Sequence, residues 1–290
     1  MSYEKDNERF LDILSSYLNF YEDDIKKEDV LAVSSVGVDE KTAFALLIAE
    51  RFGVDTGGKD RKFFNDYFLL SIEKLNVSDY YSDEFFKLKL CDNRVIGDFL
   101  LSKMTYPAYR GFVRDDFLYL KDGRVIPRIG FFDKDYVYPA VSQGGREWMT
   151  LLPNEINSQK KYIDEAFGKV AAYGLGLGYY ALKVALKDSV TSVTVVDIDN
   201  SVIDLFSKEI LPQFPLKARN KIKLVNADAL GFSKGLKAGD FDYIYVDVWH
   251  DVSDAVGLIK AFKAVEKYCP TARYGYWIED TVRYYLADET

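Results

Sequence analysis

The second half of the chain alternates short apolar runs with longer amphipathic segments, and this alternation constrains the fold more than any other feature. The apolar runs predict buried strands over residues 169–173, 192–196, 222–226, 241–246 and 273–278. The segments between them predict helices over residues 179–186, 201–211 and 254–268. Strands joined by helices of this length require right-handed crossovers and parallel pairing. The sequence therefore predicts an α/β fold with a doubly wound, mostly parallel sheet.

The first part of the chain has a helical pattern instead. Apolar residues at spacings of three and four predict a helical domain over residues 1–115. Within it, Asp39 can cap a helix over residues 40–52 and Gly53 can end that helix. We expect this domain to cover an acceptor site or to mediate dimerisation, so a homodimer is one alternative.

A small β layer is predicted between the helical region and the sheet. Aromatic and β-branched runs over residues 116–153 indicate short strands, and Asp122-Gly123 predicts a hairpin with a type I′ turn. Residues 154–290 then form the third predicted domain, which begins with a helix over residues 154–167 and carries the parallel sheet.

The composition is typical of a folded protein. Hydrophobic residues make up 48% and charged residues 29% of the 290 residues, far from the signature of disorder. The net charge of −8 repels phosphate backbones, so nucleic acid is a disfavoured partner. The apolar run over residues 170–182 is shorter than the ~20 residues that a bilayer-spanning helix needs. No membrane is expected as a partner.

Cysteine usage and the first residues predict a cytoplasmic protein. Cys91 and Cys269 match no metal-ligand spacing and no disulfide framework. Residues 1–10 lack the apolar core of a secretion signal. Asp247 and Asp251 are two carboxylates only, which is too few to predict a metal site.

A glycine-rich turn lies between the first predicted strand and the first predicted helix of the sheet. It contains Gly174, Gly176 and Gly178. Glycines at this position let a ligand approach the main chain, and the helix that follows presents unpaired N–H groups. Gly176-x-Gly178-x-x-Ala181 also satisfies a dinucleotide-binding fingerprint. The turn therefore predicts a nucleotide-like ligand without deciding which one.

Carboxylates follow the next three strands at the same edge of the sheet. Asp197 ends the second strand, Asp228 and Ala229 follow the third, and Asp247 follows the fourth. A carboxylate at the end of the second strand can accept hydrogen bonds from ribose hydroxyls. The carboxyl ends of parallel strands form the ligand crevice of an open α/β sheet.

Together, these four strand ends resemble the class I S-adenosylmethionine-dependent methyltransferases, a Rossmann-like superfamily, over about residues 169–279. The resemblance implies that Gly174, Gly176 and Gly178 flank the methionine part of S-adenosyl-L-methionine. It also implies that Asp197 holds the ribose. By the same resemblance, Asp228 and Ala229 contact the adenine, and Asp247 lies near the transferred methyl group.

Two departures from that superfamily bear on the prediction. The acidic residue that usually lies two positions before the first glycine is replaced by Ala172. Only 12 residues follow residue 278, too few for the usual helix and closing hairpin. The sheet is therefore expected to be shortened, or to be completed by the β layer over residues 117–141.

A partial likeness to the spermidine synthase branch of the superfamily leaves a second reaction open. The segment over residues 195–199 is similar to that branch, which also places a β layer before the nucleotide domain. Those enzymes hold a polyamine with further acidic residues, and Asp247 and Asp251 are available here. Aminopropyl transfer is therefore an alternative to methyl transfer.

Candidate catalytic residues follow the fourth strand. His250 is the only histidine and can act as a general base, although it can also order the start of the next helix. Trp249 can stack on a planar ligand or fill space below the crevice. Polar residues at two helix starts, Glu155 and Asp199, are assigned to helix capping and helix-start chemistry rather than to the site.

The leading functional prediction is a methyltransferase that acts with S-adenosyl-L-methionine on a small-molecule or otherwise unidentified acceptor. Asp247 and His250 are its predicted catalytic residues. The alternatives are a spermidine synthase-like aminopropyltransferase, a nicotinamide oxidoreductase, and a non-catalytic S-adenosylmethionine-binding protein, which the absence of an acid at Ala172 suggests.

Overall fold

The computed structural model describes residues 3–90 and 92–287 and divides into two compact units. One unit comprises the chain up to residue 82 together with residues 105–137, and the other comprises residues 83–104 and the chain from residue 138. Each unit has its own apolar core. Cys91, for which no disulfide was expected, lies outside the described residues.

The described chain contains short and medium-length helices in both units. The α-helices are α1 (Glu4–Ser16), α2 (Lys27–Ser34), α3 (Glu40–Arg51), α4 (Arg61–Phe63), α5 (Leu69–Ser71), α6 (Val77–Tyr81), α7 (Pro153–Glu165), α8 (Tyr179–Leu186), α9 (Asn200–Leu205), α10 (Leu216–Arg219), α11 (Ala229–Lys234), α12 (Val252–Val265) and α13 (Glu279–Ala287). π-Helical turns cover Tyr17–Tyr21, Phe64–Phe68 and Phe206–Ile210, and 3₁₀ turns cover Phe85–Lys87, Leu211–Gln213 and Glu266–Tyr268. None of the helices in the described ranges is long and apolar enough to cross a membrane.

The strands form three sheets. They are β1 (Ile72–Leu75), β2 (Arg94–Ile96), β3 (Phe99–Tyr106), β4 (Phe112–Tyr119), β5 (Val125–Phe132), β6 (Tyr136–Gln143), β7 (Arg146–Thr150), β8 (Gly168–Tyr173), β9 (Val190–Asp197), β10 (Ile222–Asn226), β11 (Tyr243–Val246) and β12 (Arg273–Tyr276). Their orders are β1-β5-β4, β2-β3-β6-β7 and β10-β9-β8-β11-β12.

The predicted helix after Asp39 is present as α3. The Asp39 carboxylate accepts a hydrogen bond from the Thr42 N–H at 2.7 Å, and this bond lowers the pKa of Asp39. Gly53 follows the helix with a φ of 65°, the left-handed region that favours glycine. The helix prediction over residues 40–52 is confirmed to within one residue.

The predicted hairpin is also present, but its turn differs from the prediction. β4 and β5 are antiparallel, and Leu120 donates its N–H to the Arg124 carbonyl at 2.9 Å, which leaves three residues in the loop. Gly123 has a φ of 95°, whereas Asp122 is not in the positive-φ region that a type I′ turn needs. The Asp122 carboxylate instead accepts the Arg124 N–H at 3.1 Å. The type I′ prediction is therefore wrong, because the Asp122 side chain closes a wider turn.

The predicted parallel sheet is confirmed in the second unit. β10, β9, β8, β11 and β12 pair in parallel throughout, and their bounds lie within two residues of the predicted ones. The molecule also contains antiparallel pairs, between β2 and β3, β4 and β5, and β6 and β7. The fold is α/β with one parallel sheet accompanied by smaller sheets.

The parallel sheet is shortened rather than completed by the β layer. Within the described ranges it has five strands, and the strands over residues 117–141 pair in the other two sheets. Residues 279–287 form the helix α13 instead of a closing hairpin. The predicted domain boundary at 115/116 falls inside β4, and the one at 153/154 falls at the start of α7. Neither coincides with the breaks between the two compact units.

Replacing the Asp39 cap tests why α3 begins where it does. We expect Asp39→Ala to lower the free energy of unfolding of the first unit by about 1 kcal/mol, because the Thr42 N–H loses its acceptor. Asp39→Asn keeps an acceptor oxygen and should change the free energy of unfolding by only about a few tenths of a kcal/mol. Urea denaturation of both variants measures the difference. Equal losses of stability in the two variants would show that the hydrogen bond to Thr42 does not stabilise the start of α3.

Candidate active site

A cavity of about 760 Å³ lies in the second unit at the carboxyl ends of the parallel strands. It is lined by residues that follow β8, β9, β10 and β11, and by residues of β7 and α7. In the order β10-β9-β8-β11-β12, the direction of strand succession reverses between β8 and β11. Ligands of open α/β sheets bind at such a reversal.

The glycine turn forms one wall of the cavity. Gly174, Gly176 and Gly178 have φ angles of 90°, 52° and 81°. A Cβ on Gly174 would lie 1.8 Å from the carbonyl oxygen of Asp247, so only glycine lets this turn approach the end of β11. A Cβ on Gly176 would meet nothing within 4 Å. Gly174 and Gly176 line the cavity, whereas Gly178 lies outside the lining as the N-cap of α8, beside the Phe206 ring.

Asp197 fastens the glycine turn to the end of β9. Its two carboxylate oxygens accept the N–H groups of Leu175 at 2.8 Å and Asp199 at 2.9 Å. Burial raises the pKa of Asp197, and the two backbone hydrogen bonds oppose that rise. Each oxygen keeps a further lone pair, and the side chain lines the cavity. Asp197 can therefore serve the turn and accept hydrogen bonds from a ligand.

Two further acids at this edge cap helices. Asp228 accepts the Gly231 N–H at 2.7 Å at the start of α11, and Asp199 accepts the Ser201 N–H at 2.7 Å at the start of α9. The capping role predicted for Asp199 is confirmed. Both acids and Ala229 line the cavity.

Asp247 follows β11, is half-buried and lines the cavity. The Tyr245 hydroxyl donates to its carboxylate at 3.3 Å. Burial raises the pKa of Asp247 to about 7. No Lys, Arg or His within the described ranges forms a hydrogen bond or an ion pair with it.

The sequence analysis assigned Glu155 to helix-start chemistry rather than to the site, whereas the structure places it in the cavity lining. It lies on α7, lines the cavity, and has its pKa raised to about 8 by burial and by the negative charge of Asp247. It too lacks a cationic partner in the described part of the chain. A signal was available, because Gln159 and Tyr162 on the same helix are buried and Glu155 falls on the face they define.

His250 and Trp249 differ in their surroundings. His250 is exposed, and its ring lies edge-on to Trp148 with centroids 4.4 Å apart at the side of the cavity. Trp249 is 6% exposed, and its Nε1 has no hydrogen-bond partner among the described residues. Asp251 is outside the cavity lining and caps α12 through Ser253 and Asp254.

The charge of the lining is one-sided. Six carboxyl side chains contribute to it, namely Glu147, Glu155, Asp197, Asp199, Asp228 and Asp247, and no Lys or Arg does so in the ranges described. Low-dielectric walls strengthen such a field. The cavity therefore favours a positively charged ligand. No cluster of three or more His, Cys, Asp or Glu in residues 3–90 and 92–287 is placed to hold a metal ion.

The close approach of Gly174 to Asp247 can be tested with a matched alanine pair. Gly174→Ala should lower the free energy of unfolding by more than 3 kcal/mol, because the main chain must move away from the Asp247 carbonyl. A Cβ at residue 176 meets open space, so Gly176→Ala should lower the free energy of unfolding by only about 1 to 2 kcal/mol, which is the cost of placing an alanine in the left-handed region. Chemical denaturation of the second unit measures both. Equal costs would contradict the contact.

The raised pKa values of Glu155 and Asp247 predict a pH-dependent stability. Between their unfolded pKa values and their raised folded pKa values, both groups keep a proton in the folded protein and lose it in the unfolded chain. The free energy of unfolding therefore falls as the pH rises from about 4 to about 8. The double variant Glu155→Gln/Asp247→Asn lacks this loss. Its melting temperature should exceed that of the parent by a margin that grows between about pH 5 and about pH 8.5. If the melting temperatures of the parent and the double variant differ by the same margin at every pH, Glu155 and Asp247 do not have the raised pKa values given above.

Comparison with known proteins gives one family match. Residues 157–269 match the spermine/spermidine synthase domain, and no curated protein matches the chain. Among solved structures, the chain is similar to spermidine synthase from Thermotoga maritima, with 20% identity, coverage of 42% of this chain and 45% of that chain, and a TM-score of 0.32.

Two further structures show likeness of the same order. One is a spermidine synthase in complex with the transition state analogue AdoDATO, with 21% identity, coverage of 38% and 39%, and a TM-score of 0.32. The other is the methyltransferase domain of bacterial CtHen1, with 24% identity, coverage of 33% and 49%, and a TM-score of 0.26. The chain spans less than half the length of each of these three proteins, and TM-scores this low carry no argument. What remains is the similarity of residues 157–269 to a spermine/spermidine synthase domain.

Proposed function

We propose that the protein transfers an aminopropyl group from decarboxylated S-adenosylmethionine to an amine acceptor. This was the alternative in the sequence analysis, and methyl transfer from S-adenosyl-L-methionine was the leading prediction. The domain match over residues 157–269 supports the alternative better than the leading prediction. The charge of the cavity supports it independently.

The observation that carries the proposal is a cavity lined by six carboxyl groups and, in the described part, by no Lys or Arg. S-adenosylmethionine carries a carboxylate, which such a lining repels. The decarboxylated form has only the sulfonium and an ammonium, and both are attracted. An amine acceptor arrives as an ammonium and is attracted in the same way.

The adenosyl part fits the β8–β10 side of the cavity. There the open space at Gly176 lets a ligand approach the main chain, and Asp197 keeps lone pairs for the ribose hydroxyls. Asp228 and Ala229 are proposed to meet the adenine. Gly174 and Gly178 are proposed to shape the turn beside the sulfonium.

In the proposed reaction, the amine nitrogen attacks the propyl carbon that is bonded to sulfur. The new C–N bond forms as the C–S bond breaks. The electron pair of the C–S bond goes to sulfur, which leaves as a neutral thioether. The attacking nitrogen must lose a proton. Alignment of the two reactants can supply ~7 to 11 kcal/mol of the barrier reduction.

Asp247 is proposed as the group that takes this proton. Its pKa of about 7 is close to neutral pH, where a general base is most efficient. Glu155 lies near enough for the charge of Asp247 to raise its pKa, so the pair can hold one proton between them. His250 is a second candidate base, but it is exposed beside Trp148, whereas Asp247 is half-buried in the cavity lining.

Turnover of decarboxylated S-adenosylmethionine with a panel of primary amines tests this proposal. Asp247→Asn should lower kcat by ~10²-fold or more, because proton removal contributes ~10²- to 10⁴-fold. His250→Ala should lower it by less than about tenfold. Chromatography of the thioether product measures each rate.

Asp164→Asn is the matched control, since Asp164 is an exposed acid of α7 that pairs with Lys160 outside the cavity. It should leave kcat within about twofold of the parent. Methyl transfer from S-adenosylmethionine without any aminopropyl transfer would overturn the proposal. A large loss in His250→Ala with none in Asp247→Asn would assign the base to His250.

A further inference from the structure

We infer that Tyr245 is a positioning residue that makes Asp247, rather than Glu155, the acid that gives up its proton and serves as the base. This inference rests on the proposed function and names a residue that acts through that base. It depends on a hydrogen bond, on the packing that fixes its donor, and on a difference between the surroundings of the two acids.

The Tyr245 hydroxyl has the Asp247 carboxyl group as its acceptor. Alternate residues of a strand share a face, so Tyr245 in β11 and Asp247 just after it point to the same side. The hydroxyl donates to Oδ2 of Asp247 at 3.3 Å, and Tyr245 is only 1% exposed. In the described part of the chain, Oδ1 accepts no hydrogen bond. Asp247 therefore has one oxygen engaged by the protein and one oxygen available to a reactant.

Two neighbouring rings hold the Tyr245 side chain in place. The Tyr180 ring of α8 stacks on it, with centroids 4.1 Å apart and 20° between the ring planes. The Tyr162 ring of α7 also contacts it, with centroids 5.2 Å apart. A ring packed against two helices cannot turn away from its acceptor without disturbing both contacts. The donor is thus fixed before any ligand arrives.

Glu155 lacks a donor of this kind. It lines the same cavity as Asp247, and its side chain accepts no hydrogen bond from the described residues. Burial raises the pKa of Glu155, and the negative charge of Asp247 raises it further. Burial also raises the pKa of Asp247, but there the hydrogen bond from Tyr245 opposes the rise. The two acids therefore differ in one respect, which is the phenol hydroxyl.

A phenol hydroxyl favours the ionised form of the acid that it contacts. Hydrogen bonds to a carboxylate are stronger and shorter than those to a neutral carboxyl group, so the 3.3 Å contact is expected to tighten when Asp247 ionises. Of two acids that interact, the one with the donor loses its proton first, and the other keeps its own. Asp247 can then take the proton of the attacking nitrogen and become a neutral acid, while Glu155 stays protonated.

The ionisable groups near Asp247 come from three elements. Glu155 and Tyr162 belong to α7, Tyr180 to α8, and Tyr245 to β11. Burial raises the pKa of Tyr180 and of Tyr245 well above the ordinary value, so both stay protonated at neutral pH. The other ionisable side chains of the lining are Glu147, Tyr179, Asp197, Asp199, Asp228 and His250. All of them are retained in the variants below, so a difference between variants reports the hydroxyl that was removed.

The pH dependence of kcat tests the inference, with decarboxylated S-adenosylmethionine and the amine that the parent uses best. Tyr245→Phe keeps the ring and removes the hydroxyl. The apparent pKa of the acidic limb should rise by about one unit, the effect of one hydrogen bond to a charged group. Turnover at about pH 6 should then fall roughly tenfold, whereas turnover at about pH 9 should be nearly that of the parent.

Tyr243→Phe is the matched control. Tyr243 lies two residues earlier in β11, is fully buried, and donates its hydroxyl to Glu165 at 3.5 Å. It is not part of the cavity lining. Its acidic limb should coincide with that of the parent. An unchanged limb in Tyr245→Phe, or an equal shift in both variants, overturns the inference.

A second substitution keeps the test decisive if Tyr245→Phe does not fold. Replacing Tyr245 by 3-fluorotyrosine retains the ring and the hydroxyl, and fluorine makes that hydroxyl a stronger donor. The acidic limb should then move to lower pH, the direction opposite to that expected for Tyr245→Phe. A limb that stays in place or moves to higher pH contradicts the role of Tyr245.

Carboxyl titration separates this inference from the proposed function. Carbon-13 NMR of protein labelled at the Asp and Glu carboxyl groups follows both acids without any turnover, and Asp247→Asn and Glu155→Gln assign their signals. Asp247 should titrate at lower pH than Glu155 in the parent and in Tyr243→Phe, and the gap should narrow in Tyr245→Phe. An unchanged gap overturns the inference even if amines are consumed. A narrowed gap supports it even if none is consumed, in which case only the proposed function fails.

Discussion

The close approach of two backbone segments underlies the whole site. The Gly174 N–H donates to the Val196 carbonyl of β9, and the Asp247 N–H after β11 donates to the Tyr173 carbonyl at the end of β8, both at 2.9 Å. The space between Gly174 and the Asp247 carbonyl admits no side chain. This contact fixes the glycine turn, and with it the start of the Asp247 side chain, at the reversal of the strand order. A rigid backbone can hold two reactants in line more accurately than mobile side chains can.

The electrostatics of the cavity follow from that placement. Burying a carboxylate without a cation is unfavourable. Burial therefore raises the pKa values of Glu155 and Asp247, and both side chains keep a proton at a higher pH than they would in water. A cationic ligand would relieve it and release the proton. Under the proposed function, the retained protons lower the stability of the free protein, and release of those protons accompanies the binding of a positively charged ligand.

Local patterns made much of the fold predictable. The parallel sheet, the α3 cap at Asp39 and the glycine turn each depend on residues within one or two elements, where periodicity and capping rules apply. The type I′ turn was wrong because the Asp122 side chain bonds to Arg124, which the dipeptide signal does not contain. The division into units was not predictable, since residues 83–104 belong with the far end of the chain.

The candidate site was predictable at the strand ends and not beyond them. Asp197, Asp228 and Asp247 follow strands, so their common edge could be inferred from topology. Helical spacing places Glu155 on one face of α7 with Gln159 and Tyr162, but what that face contacts depends on the packing of α7 on β11 and β12, a contact between distant segments. The orphaned Nε1 of Trp249 is likewise a property of the packed structure.

The affinity difference between S-adenosylmethionine and its decarboxylated form tests the central claim most directly, because the two ligands differ only in one carboxylate. Titration calorimetry of the parent should give a Kd for the decarboxylated form at least roughly tenfold lower, equivalent to about 1.4 kcal/mol. Equal affinities, or tighter binding of S-adenosylmethionine, would contradict the claim that uncompensated carboxyl groups choose the ligand.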